Sequence, residues 1–152
     1  MSAGSLVRSL LSSQVQLVLA TVKRDHTPHT ALMAYASSSD LRSVYLATPL
    51  GARKAQNMLE RPTVSLLWDN RTGNLADHKD GLLVTAGGRA RILQDADRGR
   101  VQAQFVVKNP NMAAFLEEDN VGLFEVTLGG GYELVKGYDR PEQWNPNDEE
   151  KE

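Results

Sequence analysis

The first third of the chain constrains its fold most, because short apolar runs alternate there with polar turns. Residues 15–22 interleave Val, Leu and Ala with Gln and Thr. Residues 29–36 resume the pattern after a turn ending at Pro28, and residues 44–47 repeat it after a second polar turn. Such runs, bounded by turn residues, read as β-strands. Sequential strands on short turns pair as antiparallel neighbours, so a meander is expected.

The pattern continues with interruptions. Leu6, Val7, Leu10 and Leu11 recur at helical spacing behind Ser5, a possible cap. Residues 52–59 hold good helix formers and stop at Arg61-Pro62, and residues 63–68 form a fourth strand. Residues 70–80 read as a loop, and residues 82–93 as a long strand broken by Gly87-Gly88. Paired glycines inside a strand mark a bulge or the close approach of another backbone or a ligand. A helix over 95–107, a short helix over 112–117 and a hairpin of 121–128 with 132–137 follow. About seven mostly antiparallel strands with short helices suggest a mainly β chain, a small barrel or a sheet closed on itself. Residues 1–138 are expected to form a single domain, and residues 139–152, rich in Pro, Asn and charge, an extended or disordered tail.

Composition narrows the functional classes. In 152 residues, 17 Lys and Arg face 19 Asp and Glu, a net charge of −2, so no overall basic field would hold a nucleic acid. The absence of Cys excludes disulfides, thiolate metal sites and cysteine nucleophiles. No apolar stretch approaches the roughly 20 residues of a membrane span, and the N-terminus makes a poor signal peptide. A soluble, cytoplasmic protein is expected.

No dinucleotide fingerprint, phosphate-binding P-loop, zinc-protease motif or nucleophile elbow is present. His26, His29 and His78 have no carboxylates spaced to complete a metal set, and they read as surface or turn residues. Glu117-Glu118, at a helix end, read as solvated charge. Residues 45–54 stand out. A strand leads through Thr48-Pro49-Leu50-Gly51 into a helix whose first turn carries Arg53 and Lys54. Cations are disfavoured at that end of a helix, whereas the open N–H groups favour an anion. A bound phosphate would resolve the conflict, with Thr48 offering a hydroxyl and Gly51 letting the backbone come close. Two solvated basic side chains, with Glu60 as a partner, would resolve it differently.

This block, Thr48 to Ala55 followed by Pro62-Thr63-Val64-Ser65-Leu66-Leu67-Trp68, resembles the pyridoxamine 5′-phosphate oxidase-like, FMN-binding split-barrel family. The resemblance runs back through Leu19–Val22 and Pro28–Leu32 and forward to Gly88-Arg89-Ala90. It implies a six-stranded antiparallel split β-barrel that forms a homodimer, with flavin sites at the interface. Thr48, Arg53 and Lys54 would hold the FMN phosphate. Ala31, Leu32 and Met33 would run along the isoalloxazine ring, largely through their backbone, and the same side chains would also serve as barrel core. Ala52 stands where family members often carry a hydroxyl. Ala31 and Ala36 replace the Arg and Lys of true pyridoxamine phosphate oxidases, and the late Arg-x-His pair has no counterpart. The resemblance therefore points to an FMN-dependent oxidoreductase acting on some other small substrate. Alternatives are a non-catalytic flavin-binding or redox-sensing protein, or a deazaflavin- or haem-binding relative. No residue is nominated as a catalytic acid or base, since hydride transfer through the flavin demands none.

The two tryptophans complete the reading. Trp68 ends a strand and is expected to pack at the barrel end or an interface. Trp144, isolated in a polar tail, is expected to anchor to something, either by simple docking or against a flavin of the neighbouring chain.

Overall fold

The computed structural model describes the backbone of residues 1–151 and the side chains of residues 1–148. Eight strands share one antiparallel sheet: β1 (Gln16–Val22), β2 (Pro28–Ser37), β3 (Ser43–Pro49), β4 (Thr63–Asp69), β5 (Leu82–Ile92), β6 (Val121–Leu128), β7 (Tyr132–Lys136) and β8 (Glu142–Trp144). Five helices interrupt them: α1 (Ala3–Ser13), α2 (Arg53–Glu60), α3 (Asp77–Asp80), α4 (Asp95–Lys108) and α5 (Ala113–Leu116). Neighbours follow the order β4-β1-β2-β3-β6-β5, and a β4–β5 pairing closes these six into a barrel. The chain is thus the closed six-stranded antiparallel barrel that the resemblance implied, with β7 and β8 as an extension.

Alternation accounts for the walls. In β1, Leu17, Leu19 and Thr21 turn inward, while Val18 and Ala20 stay half-buried outside. β3 and β6 are buried on both faces. Val44, Leu46, Phe124 and Val126 fill the barrel, whereas Tyr45, Ala47, Val121 and Leu123 form a second core under Val101 and Phe105 of α4 and Leu116 of α5. Two-sided burial explains why these strands read as continuous apolar runs.

Gly87-Gly88 marks a handover along β5. One edge of β5 pairs with β4 from Asp69↔Leu83 to Thr63↔Arg89. Its other edge pairs with β7 at Leu82–Thr85 and with β6 at Gly88–Ile92. A Cβ on Gly88 would lie 2.6 Å from the Thr127 carbonyl oxygen and 2.7 Å from Val126, so the close-approach reading holds there.

Inside, four aromatic rings stand in series. Tyr35 meets Trp68 at 5.9 Å between centroids, Trp68 meets Tyr132 at 5.9 Å, and Tyr132 meets Trp144 at 5.8 Å. The Tyr35 hydroxyl donates to the Leu11 and Gln14 carbonyls, and Tyr132 donates to Leu41. The tail expected to be extended or disordered adds a strand: β8 pairs with β7 from Tyr132↔Trp144 to Leu134↔Glu142. The loop expected at residues 70–80 contains α3, one turn whose Asp77 carboxylate accepts from the Thr72 and Gly73 N–H groups. No helix among the described residues is long and apolar enough to cross a membrane.

Candidate functional site

The barrel wall opens between β2 and β3. Their pairing is confined to Tyr35–Ser37 against Val44–Leu46. From Pro28 to Ala34, β2 is paired on one side only, with β1, and from Ala47 to Pro49, β3 is paired only with β6. Backbone amides along an unpaired edge need partners, and among the described residues no other backbone supplies them over residues 29–34. Such an edge is a row of donors and acceptors suited to the rim of a planar heterocycle.

Helix α2 leaves β3 at this opening and packs on β1, β2, β3 and β5. Its inner face holds Ala55 and Met58, and Asn57 Nδ2 donates to Thr21 Oγ1 at 2.9 Å, a buried bond that ties the helix to β1. The N-terminus is left unfinished. Ala52, the N-cap, makes no side-chain hydrogen bond, and the first turn contains no acidic residue. Arg53 and Lys54 sit in that turn with no hydrogen-bond or ion-pair partner among the described residues. Of the competing reading, two solvated basic side chains with Glu60 as a partner, the Glu60 contact is not made. Glu60 is bound by Arg24 at 2.7 Å and by Arg61 at 3.1 Å, and these bonds hold its carboxyl below the usual range.

A cavity of about 460 Å³ adjoins this turn, lined by Gly51, Arg53 and Gln56, by Lys23 and Arg24 of the β1–β2 turn, and by Glu60, whose carboxylate Arg24 and Arg61 hold. A Cβ on Gly51 would meet no protein atom within 4 Å, so nothing in the fold itself requires glycine there, and any side chain would enter the open space. Lys23 escaped sequence reading because only the β1–β2 register brings that turn beside α2. Arg53 on the cavity wall and Lys54 next to it in the first turn thus set two cations beside open helix N–H groups, a charge pattern that favours an anion.

The other expected site residues are placed differently. Thr48 is 1% exposed, and its hydroxyl donates to the Pro49 carbonyl at 3.3 Å, so it is not presented to the cavity. Met33 lies in the barrel core, leaving only its backbone for a ligand. Ala31 is half-buried against the same core. Leu32 points out of the barrel and is 63% exposed, beside Val18, which is in turn opposite Leu67. Trp144 follows the simple-docking alternative, within its own chain. It is 9% exposed, stacked on Tyr132 with Arg8 over its ring at 5.6 Å, because β8 carries it into this chain's own core. Trp68 is fully buried in the same core. No cluster of potential metal ligands occurs among the described residues.

The chain is an antiparallel barrel split beside an uncapped helix whose first turn carries two unpaired cations. Residues 5–108 match the pyridoxamine 5′-phosphate oxidase family, and the chain belongs to that family. A search of curated proteins finds no match. The fold is shared with solved structures of low identity. The haem-binding protein of Mycobacterium smegmatis superposes with a TM-score of 0.83 at 16% identity, over 97% of this chain and 59% of that one. The haem storage protein HutZ of Vibrio cholerae gives 0.76 at 17%, over 90% and 95%. General stress protein 26 of Bacillus anthracis gives 0.69 at 20%, over 95% and 100%.

Proposed function

We propose that this protein is a homodimeric flavoprotein that holds FMN non-covalently in the split beside β2 and oxidises or reduces a small organic substrate. The observation that carries the reading is the pair of partnerless cations, Arg53 and Lys54, at the open N-terminus of α2. Arg53 would form a planar fork on the phosphate and Lys54 a point charge. The unpaired edge of β2 over Ala31, Leu32 and Met33 would meet the ring rim through main-chain groups. When bound, the flavin supplies two-electron chemistry, and the chain supplies orientation and a shielded cleft.

The outer face of β1, β2 and β4 supports the homodimer. Exposed Leu32 stands there among half-buried Val18 and Leu67, with small Ala20 and Ser65 alongside. A second copy would cover this apolar, nearly flat patch. Leu32→Asp should convert a dimer on a sizing column into a monomer, and an unchanged elution volume would move the interface elsewhere.

A second reading, haem binding, draws on the haem-binding neighbours and on His29, whose buried Nδ1 has no partner. The absorption spectrum of freshly purified protein, with the released cofactor identified by mass, separates the two. Flavin bands with FMN support the first reading. A haem band, or no uptake of added FMN, overturns it.

A further inference from the structure

A second cavity, of about 450 Å³, shares no lining residue with the first. It lies between α1, the β2–β3 turn and the last residue of α4, and it collects Arg8, Lys108 and serines from two separate segments. Neither the barrel closure nor the flavin reading calls for this arrangement.

Lys108 is its centre. The ammonium donates to the Leu11 carbonyl at 3.2 Å and sits 3.3 Å from the centroid of the Tyr35 ring. No carboxylate pairs with it among the described residues. An ammonium carries three donors, and the fold uses one of them as a hydrogen bond. Burial pushes Lys108 down to about 8, as expected of a cation desolvated without a counter-charge. Arg8 enters the same cavity with Trp144 beneath its guanidinium.

The hydroxyls agree in sign. Ser37 lines the cavity, and its Oγ, closed off from water and without a partner, reaches the wall by a turn of its side chain. Ser38 by contrast donates to Asp40 at 2.6 Å, and that carboxylate also accepts from the Arg42 N–H, so the nearby acid is already satisfied. Leu11 and Leu41 supply apolar wall. Leu41 adopts φ of 59°, a costly conformation for a bulky residue, and the Tyr132 hydroxyl bonded to its carbonyl helps to hold it there.

We infer that this cavity binds a small organic anion, a phosphate ester or carboxylate with an apolar body, through Lys108, Arg8 and the Ser37 hydroxyl. The anion completes the charge and hydrogen-bond complement of Lys108, while Leu11 and Leu41 take the apolar part. The site is independent of the flavin reading.

The test uses the full chain carrying Arg53→Ala and Lys54→Ala, which silences the other anion site, titrated by residue-resolved NMR. Phenyl phosphate, benzoate and inorganic phosphate are the probes. One of the two aryl anions should shift Ser37, Ser38 and Lys108 and bind more tightly than inorganic phosphate, and the better one identifies the headgroup. Lys108→Met should weaken that binding by about tenfold or more, as loss of a charged hydrogen bond does. Ser37→Ala should weaken it less, and Lys108→Arg should preserve it. No shift at these residues with any probe at millimolar concentration overturns the proposal. So does unchanged affinity in folded Lys108→Met or, where that variant does not fold, in Ser37→Ala.

Discussion

The two halves of β2 have similar local patterns and opposite surroundings. From Tyr35 onward the strand leaves β1 and pairs with β3, the Tyr35 hydroxyl is bonded to the Leu11 and Gln14 carbonyls, and Asn109 donates to the Tyr35 carbonyl at 3.0 Å. From Pro28 to Ala34 one edge has no strand beside it, and the neighbouring helix begins without a cap or an acid. At the Tyr35 end β3, Asn109 and two carbonyls beside α1 meet the strand, although Ser37 Oγ is left without a partner. At the Pro28 end one backbone edge and the neighbouring helix start have no partner in the chain, within one strand and against the same core. Open backbone groups beside unpaired cations are what the proposed flavin would complete.

The largest effect that would break this contrast falls on the open half. Arg53→Ala with Lys54→Ala should lower FMN affinity by about 3–6 kcal/mol, since each charge-assisted contact contributes about 1.5–3 kcal/mol. The cofactor-free melting temperature should barely move, because neither side chain has a partner to lose. Equal affinity in a fluorescence titration would remove the phosphate assignment. On the closed half, Tyr35→Ala should cost about 3–5 kcal/mol of folding stability in denaturant titration, through the lost ring and its hydrogen bonds.

Smaller changes sharpen the comparison. Ala52→Ser should stabilise the protein by about 1 kcal/mol by supplying the missing N-cap acceptor. A thermal melt without that gain would show the first-turn N–H groups to be satisfied already. A pH-dependent effect concerns Lys108 at the closed end, lowered by burial from 10.5 to about 8. Below pH 8 both folded and unfolded chains hold this proton, so stability does not vary with pH through it. Between about 8 and 10.5 the unfolded chain binds the extra proton, and stability should rise with pH. Lysine-specific NMR titration with a midpoint near the ordinary value would contradict the desolvation.

Much of the fold was legible because local periodicity matches what tertiary packing needs. Strands β1 to β6 and helices α2 and α4 fall within a few residues of where alternation and breakers place them. The unusual charge of the β3–α2 turn was legible for a related reason, since two cations at a helix start conflict with the dipole wherever the helix goes. Strand β8 was not, because Glu142-Gln143-Trp144 carries no alternation long enough to read and forms only against the edge β7 offers. Core burial expected of both Leu32 and Met33 holds for Met33 only. The strand pleat sends them to opposite faces, and only the closed barrel determines which face is core.

By itself the sequence determined which segments extend, where the chain turns and where two cations gather at a helix start, since these depend on near neighbours along the backbone. Tertiary structure alone decided that β4 meets β5, that Trp144 joins the core, that Glu60 belongs to Arg24 rather than Arg53, and that Lys108 and Ser37 line one cavity. Each of these joins residues far apart in the chain, and no local propensity encodes which distant partner will be present when the barrel closes.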